Sequence, residues 1–168
     1  NRTLIEYFYG DSAIYTFVVT GDTFVLHEFS PDSVFEAQLT AFTQALHQVP
    51  EEISKAKAGE FAAQSGKILD ALWRPIENFL TPNVTIVPDG PLSFISFEAL
   101  ADSIPANGAI QFYSLGYLLE RYTISYDYSG TFLSRKPEKS ASSQNKVLAI
   151  APSFSPEAGL QALPESML

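Results

Sequence analysis

The sequence predicts an α/β domain in which an N-terminal β-meander and amphipathic helices pack on a mixed sheet. Three observations carry that expectation. Residues 3–29 hold three short runs rich in β-branched and aromatic residues, separated by Gly-Asp turns. Two stretches with apolar residues at helical spacing follow. Short apolar segments then recur at 84–87, 118–127 and 147–151. Strands that bracket helices in this way favour layered α/β or α+β architecture.

The meander comes first. Leu4 to Tyr9 is an apolar and aromatic run, and Gly10-Asp11 turns the chain. Ala13 to Val19 is the second strand, Gly21-Asp22 the second turn, and Thr23 to Phe29 the third strand. Tyr15, Phe17 and Val19 share one face, and Ile14, Thr16 and Val18 share the other. Both faces are largely apolar, so the sheet is expected to be covered on both sides.

The period then changes. Ser30, Asp32 and Ser33 are N-cap candidates, and Phe35, Leu39, Phe42, Leu46 and Val49 recur at helical spacing until Pro50. Residues 51–59 are polar and read as a loop or a frayed turn. A long amphipathic helix is predicted over about 60–80, with Ile68, Leu69, Leu72, Trp73, Ile76, Phe79 and Leu80 on one stripe. Pro75 lies inside it and predicts a bend or break near Leu72–Trp73. Val84 to Val87 is a buried strand, and Pro88-Asp89-Gly90-Pro91 a tight turn. Leu92 to Leu100 carries apolar residues without a clear period, and 102–116 reads as a loop. Leu118 to Asp127 reads as a strand, Ser129-Gly130-Thr131 as the cap of a short helix, 135–146 as a flexible surface loop and Val147 to Ala151 as a last strand. No repeat recurs and no boundary divides the 168 residues into two domains.

Composition excludes several functions. The net charge of −9 repels phosphate backbones and anionic lipid, so neither nucleic acid nor a membrane surface is an expected partner. No stretch approaches the run of about 20 apolar residues that a membrane span needs. Residues 1–20 contain Glu6 and Asp11 and alternate, unlike a secretory signal; the opening at Asn1 without a Met reads as an excised piece. The absence of cysteine rules out a Cys nucleophile, disulfides and thiolate metal sites within these residues. The charged fraction of 17 % is low, which hints at apolar surface covered by a partner or by further chain.

Candidate chemistry is sparse. There is no phosphate-binding glycine loop and no nucleophile elbow. His27 lies late in a strand beside Glu28, and His47 beside a helical apolar stripe. Both read more simply as surface histidines than as members of a triad or metal site. Asp89 stands at the carboxyl end of a buried strand, where ligands often bind in α/β sheets. Its plainer role is to cap amides of its own turn while Gly90 supplies the positive φ. Glu120 and Arg121 face opposite sides of a predicted strand, and one of them is expected to join a structural ion pair elsewhere. Tyr7, Phe8, Tyr9, Tyr15 and Phe17, with Tyr122, Tyr126 and Tyr128, would line a ligand groove or, more simply, fill a two-sided core. No catalytic, cofactor-binding or metal-ligating residue is assigned.

Several stretches together resemble one family. Val84 to Leu100 (VTIVPDGPLSFISFEAL) looks like the IVPDGPL-xx-xPFEAL segment of CHAT domains, with Ser96 where a proline is usual. Tyr117 to Tyr126 (YLLERYTISY) is similar to the YLIERYAISY strand that follows there. Leu72 to Glu77 resembles the LYQLLLAPIE helix, Leu4 to Val19 the LVEYFLGEDALYVFVIT strands, and Val147 to Pro152 the LLALGNP strand. CHAT domains are relatives of caspases and separases, often preceded by tetratricopeptide repeats, and active members use a His–Cys dyad at HLATHG-like and LSACETG-like strand ends. Both lie after the stretch matched here and have no counterpart in it. Near Leu163-Pro164-Glu165 the LPGAEKE pattern is only beginning. The resemblance implies the front half of a caspase-like domain, without activity of its own. The implied partners are the downstream catalytic half of the same protein, tetratricopeptide-repeat segments and peptide substrates, in the cytoplasm. A dyad-less scaffold is the first rival, and an unrelated hydrolase using Asp89 with a Ser or His the second.

Overall fold

The computed structural model describes residues 2–47, 55–103 and 111–131. All of them belong to one compact unit, Asn1–Arg135. The expected Pro50 helix stop, the loop at 135–146 and the strand at 147–151 lie outside the described residues.

The three N-terminal strands form as their composition dictates: β1 (Thr3–Tyr9), β2 (Ile14–Val19) and β3 (Phe24–Phe29). β2 pairs antiparallel with both β1 and β3. The chain then enters α1 (Ser33–His47) and α2 (Lys55–Leu72), returns as β4 (Asn83–Val87), and later adds β7 (Thr123–Tyr126). β4 runs parallel to β1, and β7 parallel to β4. The result is a mixed five-stranded sheet of order β3-β2-β1-β4-β7. A small second sheet pairs β5 (Ala101–Ser103) with β6 (Gly116–Tyr117). Its attachment to α2 is a hydrogen bond from the Ala101 amide to the buried Ser65 Oγ at 2.6 Å.

Both helices contribute to one core. Ile5, Tyr7, Ile14 and Val18 from the sheet share it with Phe35, Leu39 and Phe42 of α1 and Ile68, Leu69 and Leu72 of α2. Of the candidate caps, Asp32 takes the role: its carboxylate accepts the Phe35 amide at 2.8 Å. α2 starts earlier than about 60, at Lys55, and stops at Leu72 as Pro75 requires; a 3-10 turn, Glu77–Phe79, follows. Trp73, 1 % exposed, sits at this break against Phe97 (6.4 Å) and Tyr122 (5.2 Å, edge-on). Ser129 opens a helical turn as expected, accepting the Thr131 amide at 3.2 Å.

Three expectations need correction. The strand predicted over 118–127 is shorter: Leu118–Glu120 is a 3-10 turn and β7 begins at Thr123. Here the Arg121 and Tyr122 amides both return to the Leu118 carbonyl, which closes a turn in place of a ladder. The segment 102–116 is not all loop, because it contributes to β5 and β6 and forms a 3-10 turn at Phe112–Ser114. Finally, the meander is covered on one face only. α1 and α2 pack on the side of Ile5 and Val18, while Phe8, Val19, Phe24 and Leu26 on the opposite side remain exposed. β4, by contrast, is buried on both faces from Val84 to Val87.

Two devices hold β1 against β4. At the amino end the Thr3 hydroxyl accepts the Thr81 amide at 2.9 Å and bonds the Thr81 hydroxyl at 3.0 Å. At the carboxyl end Gly90, with φ of 55°, turns the chain so closely over Tyr9 that an added Cβ would meet the Tyr9 Cβ at 3.2 Å. Gly90→Ala therefore carries a left-handed backbone penalty of about 1–2 kcal/mol plus this crowding. Urea unfolding is expected to show at least that loss, whereas Gly21→Ala, with nothing within 4 Å, stays within about 0.5 kcal/mol of the parent.

Candidate functional site

β1, β4 and β7 point the same way, so Tyr9, Val87 and Tyr126 end at one edge of the sheet. Crevices at such carboxyl ends are where open α/β sheets place ligands. The side chains there fold back on the backbone. Asp89 Oδ2 accepts the Tyr9 amide at 2.9 Å. This refines the sequence expectation: Asp89 makes no side-chain cap to its own 3-10 turn, Gly90–Phe94, and bonds a strand 80 residues away. Gly90 does supply the positive φ.

Three tyrosines donate a hydroxyl to a glutamate, Tyr9 and Tyr126 at this edge and Tyr122 at the amino end of β7. Tyr9 donates to Glu36 and so ties β1 to α1. Tyr126 donates to Glu98 and accepts the Phe97 amide at 2.8 Å, which ties β7 to the 3-10 turn Phe97–Ala99. Tyr122 donates to Glu77 at 3.2 Å, and Arg121 pairs with the same carboxylate at 3.1 Å. The expected ion pair of Arg121 thus exists, but at the surface and with the end of the helical segment. Burial, reinforced by the neighbouring carboxylate, holds the hydroxyls of Tyr9, Tyr126 and Tyr122 above the ordinary phenol range. Burial does the same for Tyr7, whose hydroxyl donates to the Leu72 carbonyl at 3.2 Å while its ring stacks on Phe97 at 5.3 Å.

Beside Tyr126 opens a shallow groove of about 460 Å³, lined by Leu46, Ser93, Phe94, Ile95, Ser96, Ala99 and Tyr126. It offers apolar contact and serine hydroxyls. Ser96, where the family pattern has proline, lies in extended backbone (φ −94°, ψ 103°) immediately before the turn Phe97–Ala99, so the turn survives the change.

The remaining candidates do not converge. His27 is half-buried on β3, opposite Thr16. In the strand order it stands three strand spacings from β4, roughly 14 Å. Asp89 consequently has no His27 partner of the kind a hydrolase would need. His47 is the last residue of α1. The aromatics do not form one groove either. Tyr7 is in the core, Phe8, Tyr15 and Phe17 lie on the opposite sheet face, and Tyr128 is fully exposed. Among the described residues no group of three or more His, Cys, Asp or Glu is placed to hold a metal ion, and no helix is long and apolar enough to cross a membrane. The tyrosine–glutamate pairs escaped the sequence reading because their partners lie 27 to 45 residues apart.

A mixed sheet with helices packed on it, closed at its parallel strand ends by motif turns, defines a layered α/β domain. The CHAT domain model matches residues 62–166, and the chain belongs to that caspase-like family. The match opens inside α2 and takes in β4, β7 and the turns between them; the meander precedes it. No curated protein matches the chain.

The raised tyrosines fix the sign of an alkaline effect. A hydroxyl whose folded pKa exceeds its unfolded value near 10 contributes stability that is complete below that value and is lost as pH climbs past it. Urea unfolding stability should therefore be level from pH 8 to about 9 and fall steadily above about 10. Tyr9→Phe/Tyr126→Phe should flatten that fall; an unchanged slope in the double variant would assign the effect to other groups.

Proposed function

We propose that this chain is the non-catalytic N-terminal portion of a caspase-like CHAT cysteine peptidase domain, and that it supports a His–Cys site supplied by chain outside these 168 residues. The observation that carries the reading is the occupancy of the strand ends. The motif residues that reach them, Asp89, Glu98 and Tyr126, are engaged with the Tyr9 and Phe97 amides and with each other. Thiol chemistry needs a thiolate beside an imidazole, and these residues include no cysteine. The role left for this part is geometric. It sets the positions of β4 and β7, and it presents the apolar groove beside Tyr126 as a wall for an extended peptide. Its working context is the cytoplasm, beside the catalytic half of the same protein and tetratricopeptide-repeat segments.

The test compares two proteins: these 168 residues, and the product of the whole reading frame that encodes them. A fluorogenic peptide library and a thiol-alkylating probe are applied to both. The short protein is expected to hydrolyse nothing and to take up no probe. The long one is expected to hydrolyse a subset of peptides and to lose that activity on alkylation. A long protein that folds, binds peptides and shows no thiol-dependent hydrolysis would favour a dyad-less scaffold and sink the peptidase reading.

A further inference from the structure

The outer face of the meander is the largest feature that the proposed role leaves unused. On it Phe8, Val19, Phe24 and Leu26 are 56 %, 36 %, 66 % and 52 % exposed. They are contiguous by register, since Phe17 pairs with Leu26 and Val19 with Phe24. Rings lie against one another along the face, Phe8 on Tyr15 and Phe17 on Phe24, each at 6.3 Å between centroids. The other half of the same sheet side is closed: Thr85 and Val87 are buried, and Gly130 sits over Leu4 and Glu6, where an added Cβ would fall 3.2 Å and 2.8 Å from their side chains. Contiguous apolar surface of this kind on a charged protein marks an interaction site. All four exposed residues precede the residues 62–166 that the family model matches.

Charge selects the occupant. From Thr3 to Ser54 the sequence holds no Lys or Arg, while Glu6, Asp11, Asp22 and Glu28 flank the patch in sequence. Glu6 and Glu28 stand on this very face, opposite Phe17 and Tyr15. A second copy would bring two acidic rims together, and an anionic membrane would meet the same repulsion. Width selects the shape. The patch spans β1 to β3, two strand spacings or roughly 10 Å, which is the diameter of one α-helix. We infer that this face is the docking surface for a basic amphipathic helix of a partner protein, with the helix's apolar stripe over Phe8, Val19, Phe24 and Leu26 and its Lys or Arg side chains against Glu6 and Glu28. The surface is remote from the strand ends, so it stands or falls independently of the proposed peptidase role.

The probe is a pair of synthetic helical peptides of about five turns, identical in their Leu/Ala stripe, one flanked by Lys and the other by Glu. Labelled peptide is titrated with the 168-residue protein and followed by anisotropy. The Lys peptide is expected to bind and to weaken as salt rises, and the Glu peptide not to bind. Phe24→Ser/Leu26→Ser should weaken the Lys peptide at least about tenfold with an unchanged melting temperature, since both side chains point to solvent. Glu28→Lys, a milder surface change, should weaken it several-fold and serves if the double variant fails to fold. Equal binding of both peptides, or of neither, would overturn the inference. So would a dimer by light scattering that Phe24→Ser/Leu26→Ser dissolves, because the face would then be covered by a second copy.

Discussion

β1 and β4 lie side by side in parallel, yet Tyr9 and the Asp89 that caps it are 80 residues apart. No local preference brings such strands together; a parallel neighbour demands a long crossover, and here it is supplied by β2, β3 and both helices. The pairing is therefore held by what closes its two ends. Thr3 and Thr81 lock one end, and Asp89 with Gly90 locks the other. β7 takes its place from the same frame, through the Thr123 amide on the Pro82 carbonyl (2.8 Å) and the Asp127 amide on the Ile86 carbonyl (2.9 Å). The groove beside Tyr126 exists because that strand end is held there.

This arrangement gives the motif residues of the family a physical role. Residues of VPDG, FEAL, ERY and PIE each make a cross-element contact: Asp89 to Tyr9, Phe97 and Glu98 to Tyr126, and Arg121 and Tyr122 to Glu77. A tyrosine that donates to a glutamate while its ring is packed couples burial to a charge-assisted hydrogen bond. It fixes distance and angle between two elements more tightly than apolar packing alone. Such residues do not need to touch a substrate to be required.

Much of this was legible in the sequence, for reasons that can be named. The meander followed from β-branched runs between Gly-Asp turns, the end of α2 at Leu72 from Pro75, and the buried strand 84–87 from residues that are apolar except for Thr85. The family followed from VPDG-to-FEAL and from ERY, whose local spelling is unusual enough to identify. What escaped was non-local. The Leu118 amide is taken by the distant Leu100 carbonyl at 2.8 Å, and the chain turns over Leu118–Glu120 before β7 begins. Asp89 looked like a cap for its own turn because its target amide is far away in sequence. The exposed side of the meander could not be told from the buried one, since Tyr15, Phe17 and Val19 are as apolar as Ile14, Thr16 and Val18; only the placement of α1 and α2 decides between them.

The Asp89 bond seals the β1–β4 alignment, and backbone hydrogen exchange at Tyr9 reads that bond directly. Tyr9 is the last residue of its strand, and strand ends ordinarily fray and exchange fast. The Tyr9 amide is expected to exchange nearly as slowly as that of Ile5 in the strand interior, and Asp89→Ala to speed it by at least about tenfold while Ile5 changes much less, the removal of one charged acceptor being worth about 2 kcal/mol. A Tyr9 amide that already exchanges at the rate of a free strand end, or that is indifferent to Asp89→Ala, would contradict the claim that this carboxylate holds the strands in place.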